Sequence, residues 1–304
     1  MNHPGWPRLP LAEWEDTYAT VHLWTQIVGK IRLAHMPWVN HSWHVPLYVT
    51  ARGLGTDLIA SDQGSFSIDF DFVDHTLLIQ TTAGDQATFA LAPMSVAEFY
   101  ERIMSALDSL GLRTAIWTTP VEIPGPVSAF PDDHDHASYD ADAVQRFWTA
   151  LVSIHRVFTR FRSGYLGKSS PVHFFWGAFD LAVSRFSGKT APKHPGGAPH
   201  LNDEVMQEAY SHEVSSAGFW PGAGLGEAAF YAYAYPQPAG FEGEAVEPSA
   251  AYYYAQLGEY LLPYDAVASS DTPEADLMAF LETTYGAAAR LAGWDRSALE
   301  RQQP

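Results

Sequence analysis

The sequence predicts an α+β protein of two similar halves, each an antiparallel sheet with flanking helices, packed as one unit. Three observations predict it. Strand-like segments come in runs between helices instead of alternating with them one by one, which favours antiparallel sheets. The order helix, strand, meander, helix occurs twice along a chain of 304 residues, long enough to bury a large core. The longest apolar run, residues 171–188, is rich in aromatics and bounded by Pro171 and Ser187-Gly188, so a long buried strand, or two strands joined at Gly177, forms the centre. The halves divide as 1–125 and 126–304, and the repeated order predicts an internal duplication.

Residues 1–10 read as a proline-rich arm. Trp14, Thr17, Val21, Trp24, Val28 and Ile31 then recur at three- and four-residue steps, giving a helix with one apolar stripe that ends before Pro37. Residues 45–51 read as a strand. Phe66, Ile68, Phe70 and Phe72 alternate with Ser67, Asp69 and Asp71, the pattern of a half-buried strand. Turns at Asp74-His75 and Ala83-Gly84-Asp85 extend it into a three-stranded meander. Ser95 and Glu98 form a capping box for a helix carrying Phe99, Ile103 and Leu107 inward, with Gly111 as its stop. Residues 112–117 read as one more strand. Four prolines between 120 and 131 then mark a linker into Asp132-Asp-His-Asp-His136, read as a solvated acidic segment.

The second half opens on a helix capped by Asp140, with Val144, Phe147, Leu151, Ile154, Phe158 and Phe161 on its apolar face. The 171–188 run follows, then a Pro/Gly-rich loop and a short helix over about 202–210. Residues 218–226 read as a flexible glycine-rich loop with Trp220 at its tip. Alternating Ala and Tyr over 230–235 make a strand, and 251–262 reads as another. Thr272-Pro273 begins the last helix, which Gly293 stops. Two short strings accompany the repeated order: Gly29-Lys30 and Gly167-Lys168 read as the ends of the two opening helices, and His41-Ser-Trp43 and His173-Phe-Phe-Trp176 precede strands that carry Arg52 and Arg185.

Several strings resemble one family: Asn40-His-Ser-Trp-His-Val-Pro-Leu-Tyr-Val49, residues 18–30, residues 170–188, and Ala209-Tyr-Ser-His-Glu-Val-Ser-Ser-Ala-Gly-Phe-Trp-Pro-Gly222. They are similar to an uncharacterised, mainly bacterial family catalogued as domain of unknown function 5996. The resemblance implies a single family unit from about Trp6 to Arg296. It supplies no activity, cofactor or catalytic residue, so function is read from chemistry.

A formal net charge of −18 argues against a nucleic-acid partner, which needs clustered Lys and Arg. No apolar run is long enough to span a bilayer, and the N-terminus lacks a signal-peptide pattern, so a membrane role is not expected. Cysteine is absent, which excludes disulfides, thiolate metal sites and cysteine nucleophiles and fits a cytoplasmic location. Aromatic residues make up 14% of the chain, enough to wall an internal pocket for a small molecule.

Such a pocket is expected between the halves, lined by His44, His173, Trp176, Asp180, Arg185, His212, Glu213 and Trp220. His212, partnered by Glu213, is the candidate proton-transfer group, with His173 and Asp180 also catalytic candidates. Arg185 is the candidate anchor for an anionic group; His44, Trp176 and Trp220 complete the binding walls. Simple alternation puts His173 and Arg185 on one strand face and Asp180 on the other, and a bulge at Gly177 would reunite His173 with Asp180. His41, His44, His173, His212 and Glu213 are also the candidates for a divalent metal, although their spacing matches no helical metal motif. Against these stand the bland readings: histidines packed on tryptophan and bonded to backbone, and a buried Asp–Arg or Asp–His pair that fixes the core. The best reading is a small-molecule enzyme. Its rival is a non-catalytic small-molecule-binding protein with an aromatic cavity, and a third reading is a structural module with no pocket.

Overall fold

The computed structural model describes residues 4–301; the first three residues of the proline-rich arm lie outside the described residues. Seven helices and two antiparallel sheets make a mixed α+β fold. The first half runs α1 (Glu15–His35), β1 (Tyr48–Val49), β2 (Gly53–Gly55), β3 (Phe66–Asp71), β4 (Thr76–Thr81), β5 (Gln86–Ala90) and α2 (Val96–Ser109). The second runs α3 (Ala141–Ser163), β6 (His173–Phe175), β7 (Asp180–Thr190), α4 (Asp203–Ala209), β8 (His212–Trp220), β9 (Ala229–Tyr235), β10 (Tyr252–Tyr254), β11 (Glu259–Pro263), α5 (Tyr264–Ala268), α6 (Pro273–Leu291) and α7 (Arg296–Leu299).

The local signals act as their chemistry dictates. Ser95 Oγ accepts the Glu98 amide at 3.1 Å and Asp140 Oδ1 accepts the Ala143 amide at 3.0 Å. Each cap satisfies a donor that a helix start leaves free, a contribution of about 1 kcal/mol. Gly111, with φ 73°, and Gly293, with φ 62°, follow α2 and α6 in the left-handed conformation that glycine adopts without steric cost.

The structure corrects several expectations. Trp220 is not the tip of a loop but the last residue of β8, and α3 stops at Ser163, before Gly167-Lys168. Helix α1 does not end at Gly29-Lys30, and it has no single stripe: from Thr17 to Arg32 every residue except Ala19 is buried. It is a central helix packed on all sides, the condition under which a helix is apolar nearly all round. Residues 112–117 form no strand, and 251–262 is a hairpin, β10 and β11, instead of one strand. The 132–136 segment is not simply solvated: Asp133 is buried, accepts the amides of Asp135 and His136, and pairs with the His136 ring at 2.8 Å.

The first sheet is a plain meander, β1-β2-β3-β4-β5; the second has the order β10-β11-β9-β8-β7-β6. Both halves are thus a helix, an antiparallel sheet and a helix, and their strand orders part where the last hairpin docks through β11. One pair of backbone bonds joins the sheets: Leu47 and Phe174 exchange amide and carbonyl at 2.8 Å each way. A single apolar core runs through both halves; at its centre Trp24 of α1 stacks on Phe99 of α2 at 4.7 Å and on Tyr139 at 5.6 Å.

Candidate functional site

The 171–188 run folds as a hairpin: β6, a turn over 176–179, then β7, pairing Phe175 with Asp180 and His173 with Ala182. Residues directly opposite across an antiparallel pair share a face. Asp180, Ala182, Ser184 and Phe186 therefore face one way, joined by Val214, Ser216, Gly218 and Trp220 of β8 and by Tyr231 and Tyr233 of β9. Leu181, Val183 and Arg185 face the other way, toward α3 and α6. The first face is the floor of a cavity of about 980 Å³, roofed by α1, the loop around residues 38–45 and the segment around residues 120–136.

Five carboxyl groups line this cavity, and three of them, Glu122, Asp180 and Glu259, have strongly raised pKa values. Asp180 is 7% exposed and accepts the Tyr231 hydroxyl. Burial raises its pKa to about 6, against the opposing pull of that hydrogen bond. Glu122 and Glu259 are raised to about 7, by burial first and by the Asp180 charge second. None of the three carboxyls makes an ion pair among the described residues. Tyr210 and Tyr233 exchange a 2.7 Å hydroxyl bond at the same site.

Helix α1 builds this arrangement. Gln26, fully buried, accepts the Val121 amide at 2.9 Å and donates to the Val121 carbonyl at 2.8 Å. His22 donates from Nε2 to the Gly177 carbonyl at 2.8 Å. Together they set Glu122, whose backbone has a φ of 60°, over Gly177. A methyl group at Gly177 would overlap the Glu122 carboxyl, and one at Gly218 would overlap the Tyr231 ring end that reaches Asp180. Gly29 plays the same part for Trp176, whose indole donates to the Val45 carbonyl at 2.9 Å.

Of the residues expected here, His44, Trp176, Asp180 and Trp220 line the cavity, and so does His41. His173, Arg185, His212 and Glu213 do not. His173 does share the face of Asp180, because the four-residue turn changes the parity that simple alternation assumed. It is nevertheless wholly buried between the rings of Trp43, Tyr48 and Phe175, and burial lowers its pKa to about 3. Arg185 lies on the opposite face, 3.4 Å from the Phe161 ring centre and 4.3 Å from that of Tyr285. It bonds the Phe161 carbonyl, so it anchors α3 to the sheet and holds no ligand in the cavity.

His212 and Glu213 are neighbours in a strand and so point to opposite faces. His212 bonds Ser211 at 3.0 Å, while Glu213 accepts from Ser187 at 2.9 Å with Lys189 at 3.9 Å; the expected His–Glu partnership is not made. Among the described residues no group of three or more His, Asp or Glu is placed to hold a metal ion; His41 and His212 come near each other, at 6.0 Å between rings, without a third ligand.

Glu122, Glu259, His22 and Tyr210 are the residues that sequence reasoning missed. The signal for Glu122 was a carboxyl between Val121 and Ile123 in a proline-flanked stretch, and for Glu259 a lone acid in a tyrosine-rich hairpin.

Fold and site together define an α+β protein with two antiparallel sheets and an interior acidic, aromatic-walled cavity. The chain belongs to the family described as "Family of unknown function (DUF5996)", whose model matches residues 6–301. No curated protein and no solved structure matches it. Among the described residues no helix is long and apolar enough to cross a membrane.

Proposed function

We propose that the protein is a cytoplasmic small-molecule enzyme that transfers protons inside this cavity. The observation that carries the reading is the trio of unpaired carboxyls, Glu122, Asp180 and Glu259, lining one cavity with their pKa values raised toward neutrality. A group whose pKa lies near working pH is both present in the needed form and strong enough to act, which makes it suited to general acid–base work. In this reading Glu122 and Glu259 exchange protons with the substrate, while Asp180 and Tyr231 orient it and hold developing charge. The aromatic walls support a second reading, a binding protein without chemistry.

Incubation of the protein with a metabolite mixture, followed by mass spectrometry, separates the two. A compound consumed by the wild type and consumed about 100-fold more slowly by Glu259→Gln supports catalysis, at the size expected for an acid–base group. A compound retained by the protein but never consumed establishes the binding reading instead.

A further inference from the structure

We propose that the cavity takes an organic cation bearing N–H donors, a protonated amine or guanidine. The inference rests on reading the cavity as a small-molecule site and names the class of molecule it accepts.

The charge on its walls points one way. Five carboxyl side chains line it, the three above with Asp133 and Asp135, and not one Lys or Arg. Asp133 is committed to its own loop through the Asp135 and His136 amides. Glu122, Asp180 and Glu259 have no cationic partner among the described residues. Unpaired carboxylates close together in a partly desolvated space repel one another, and a bound cation removes that penalty.

The hydrogen-bonding inventory points the same way. His41 Nδ1 lies 2.8 Å from the Ala209 carbonyl, an acceptor only, so Nδ1 carries the proton. Burial disfavours the protonated form of this imidazole. Its Nε2 is therefore a lone-pair acceptor. It is buried, has no partner, and belongs to a residue 5% exposed that borders the cavity. The atom itself has almost no accessible surface, so a donor on a ligand meets it only if the ring turns toward the cavity, and a carboxylate or phosphate has no donor to offer.

The aromatic walls complete the recognition. The rings of Trp176, Trp220, Tyr231 and Tyr233 line the cavity, and aromatic rings attract a cation electrostatically; Trp43 already has the Lys168 ammonium 5.0 Å from its ring centre. The span also fits an extended ligand. The floor runs along β7 from Asp180 to Phe186, about 20 Å at the usual strand rise. His41 packs against Phe186 with ring centres 4.4 Å apart and planes 38° apart, at the end away from Asp180. Acceptors thus stand at both ends of a long aromatic trough.

The test is binding of spermidine, agmatine and phenethylammonium, measured by calorimetry and tryptophan fluorescence, against the neutral 2-phenylethanol and the anionic phenylacetate. Amines that bind while the alcohol and the carboxylate do not, with affinity about tenfold weaker in Glu122→Gln and again in Glu259→Gln, support the proposal. Both variants keep the side-chain shape and remove a charge that burial disfavours, and Gly177→Ala tests the same carboxyl without touching it. Equal binding of the alcohol or the carboxylate overturns the proposal. So does the absence of amine binding at millimolar concentration, or amine affinity unchanged in both Gln variants and in Gly177→Ala. Amine binding without turnover sinks the catalytic reading and leaves this one standing; turnover of an uncharged compound does the reverse.

Discussion

Gly177 carries no side chain, yet it decides where a carboxyl sits. Its α-carbon leaves the space that the Glu122 side chain occupies, and its carbonyl receives His22. Its backbone is not in the left-handed region, so alanine is tolerated conformationally. The atom a new methyl would strike is the end of a mobile glutamate side chain, which can swing away. Gly177→Ala is therefore expected to keep the unfolding midpoint within about 2 °C of wild type while ligand affinity or turnover falls about tenfold or more. Calorimetric unfolding together with ligand titration checks both halves of that statement; a large loss of stability would show that Gly177 serves packing instead. At this scale the sequence was half legible. Trp176 and Asp180 stand out because aromatic and charged groups in one apolar run have to meet something. His212 and Glu213 mislead because adjacency in sequence, within a strand, means separation in space.

Among the elements, α1 joins sequence to site most directly. The polar groups Thr17, Thr20, His22, Thr25, Gln26 and Lys30 are all buried along it. Three-residue spacing identifies the helix, but only full burial explains why so many of its polar groups have specific partners far along the chain. Gln26 is the clearest case, because its amide closes two hydrogen bonds on Val121 that no other group replaces. Gln26→Leu leaves a buried amide and a buried carbonyl unsatisfied, and is expected to cost about 1–3 kcal/mol of stability. It also frees Glu122 from its place over Gly177. Urea unfolding measures the first effect, and ligand titration at a temperature where the variant is folded measures the second. Caps and turns were readable because they are local chemistry. The division of 251–262 into β10 and β11 was not, since an exposed turn around Gly258 looks like a pause in a strand until its pairing partner is known.

Across the whole molecule the two-sheet plan follows from hydrophobic period, whereas the cavity between the second sheet and α1 depends on parity, turn length and which segment roofs which face. Those choices gather buried titratable groups of opposite kinds, and stability should record them. The folded chain holds protons on Glu122 and Glu259, raised from 4.5 to about 7, and on Asp180, raised from 3.8 to about 6. The unfolded chain has released those protons, so stability falls as pH rises from about 4 to 7 on their account. Neutral His22, lowered from 6.5 to about 4, and His173, lowered to about 3, act oppositely: the unfolded chain takes up protons that the folded chain refuses. Burial lowers His41 and His44 in the same direction. Their contribution is complete above about pH 6.5 and is lost as pH falls toward their folded values. Lys30, lowered from 10.5 to about 8, changes stability only in the alkaline range above that value. Between about pH 7.5 and 6.5 both sets act, because unfolded imidazoles with the ordinary value of 6.5 already take up protons there; each carboxyl opposes them by at most about 1.4 kcal/mol per pH unit. The double variant Glu122→Gln/Glu259→Gln separates the two sets. As pH is lowered through that window its unfolding free energy should fall relative to that of the wild type, and the acid-side fall should persist. Denaturant titrations at half-unit pH steps on both proteins check this, and an unchanged slope in the double variant would mean that these carboxyls do not hold their protons in the folded state.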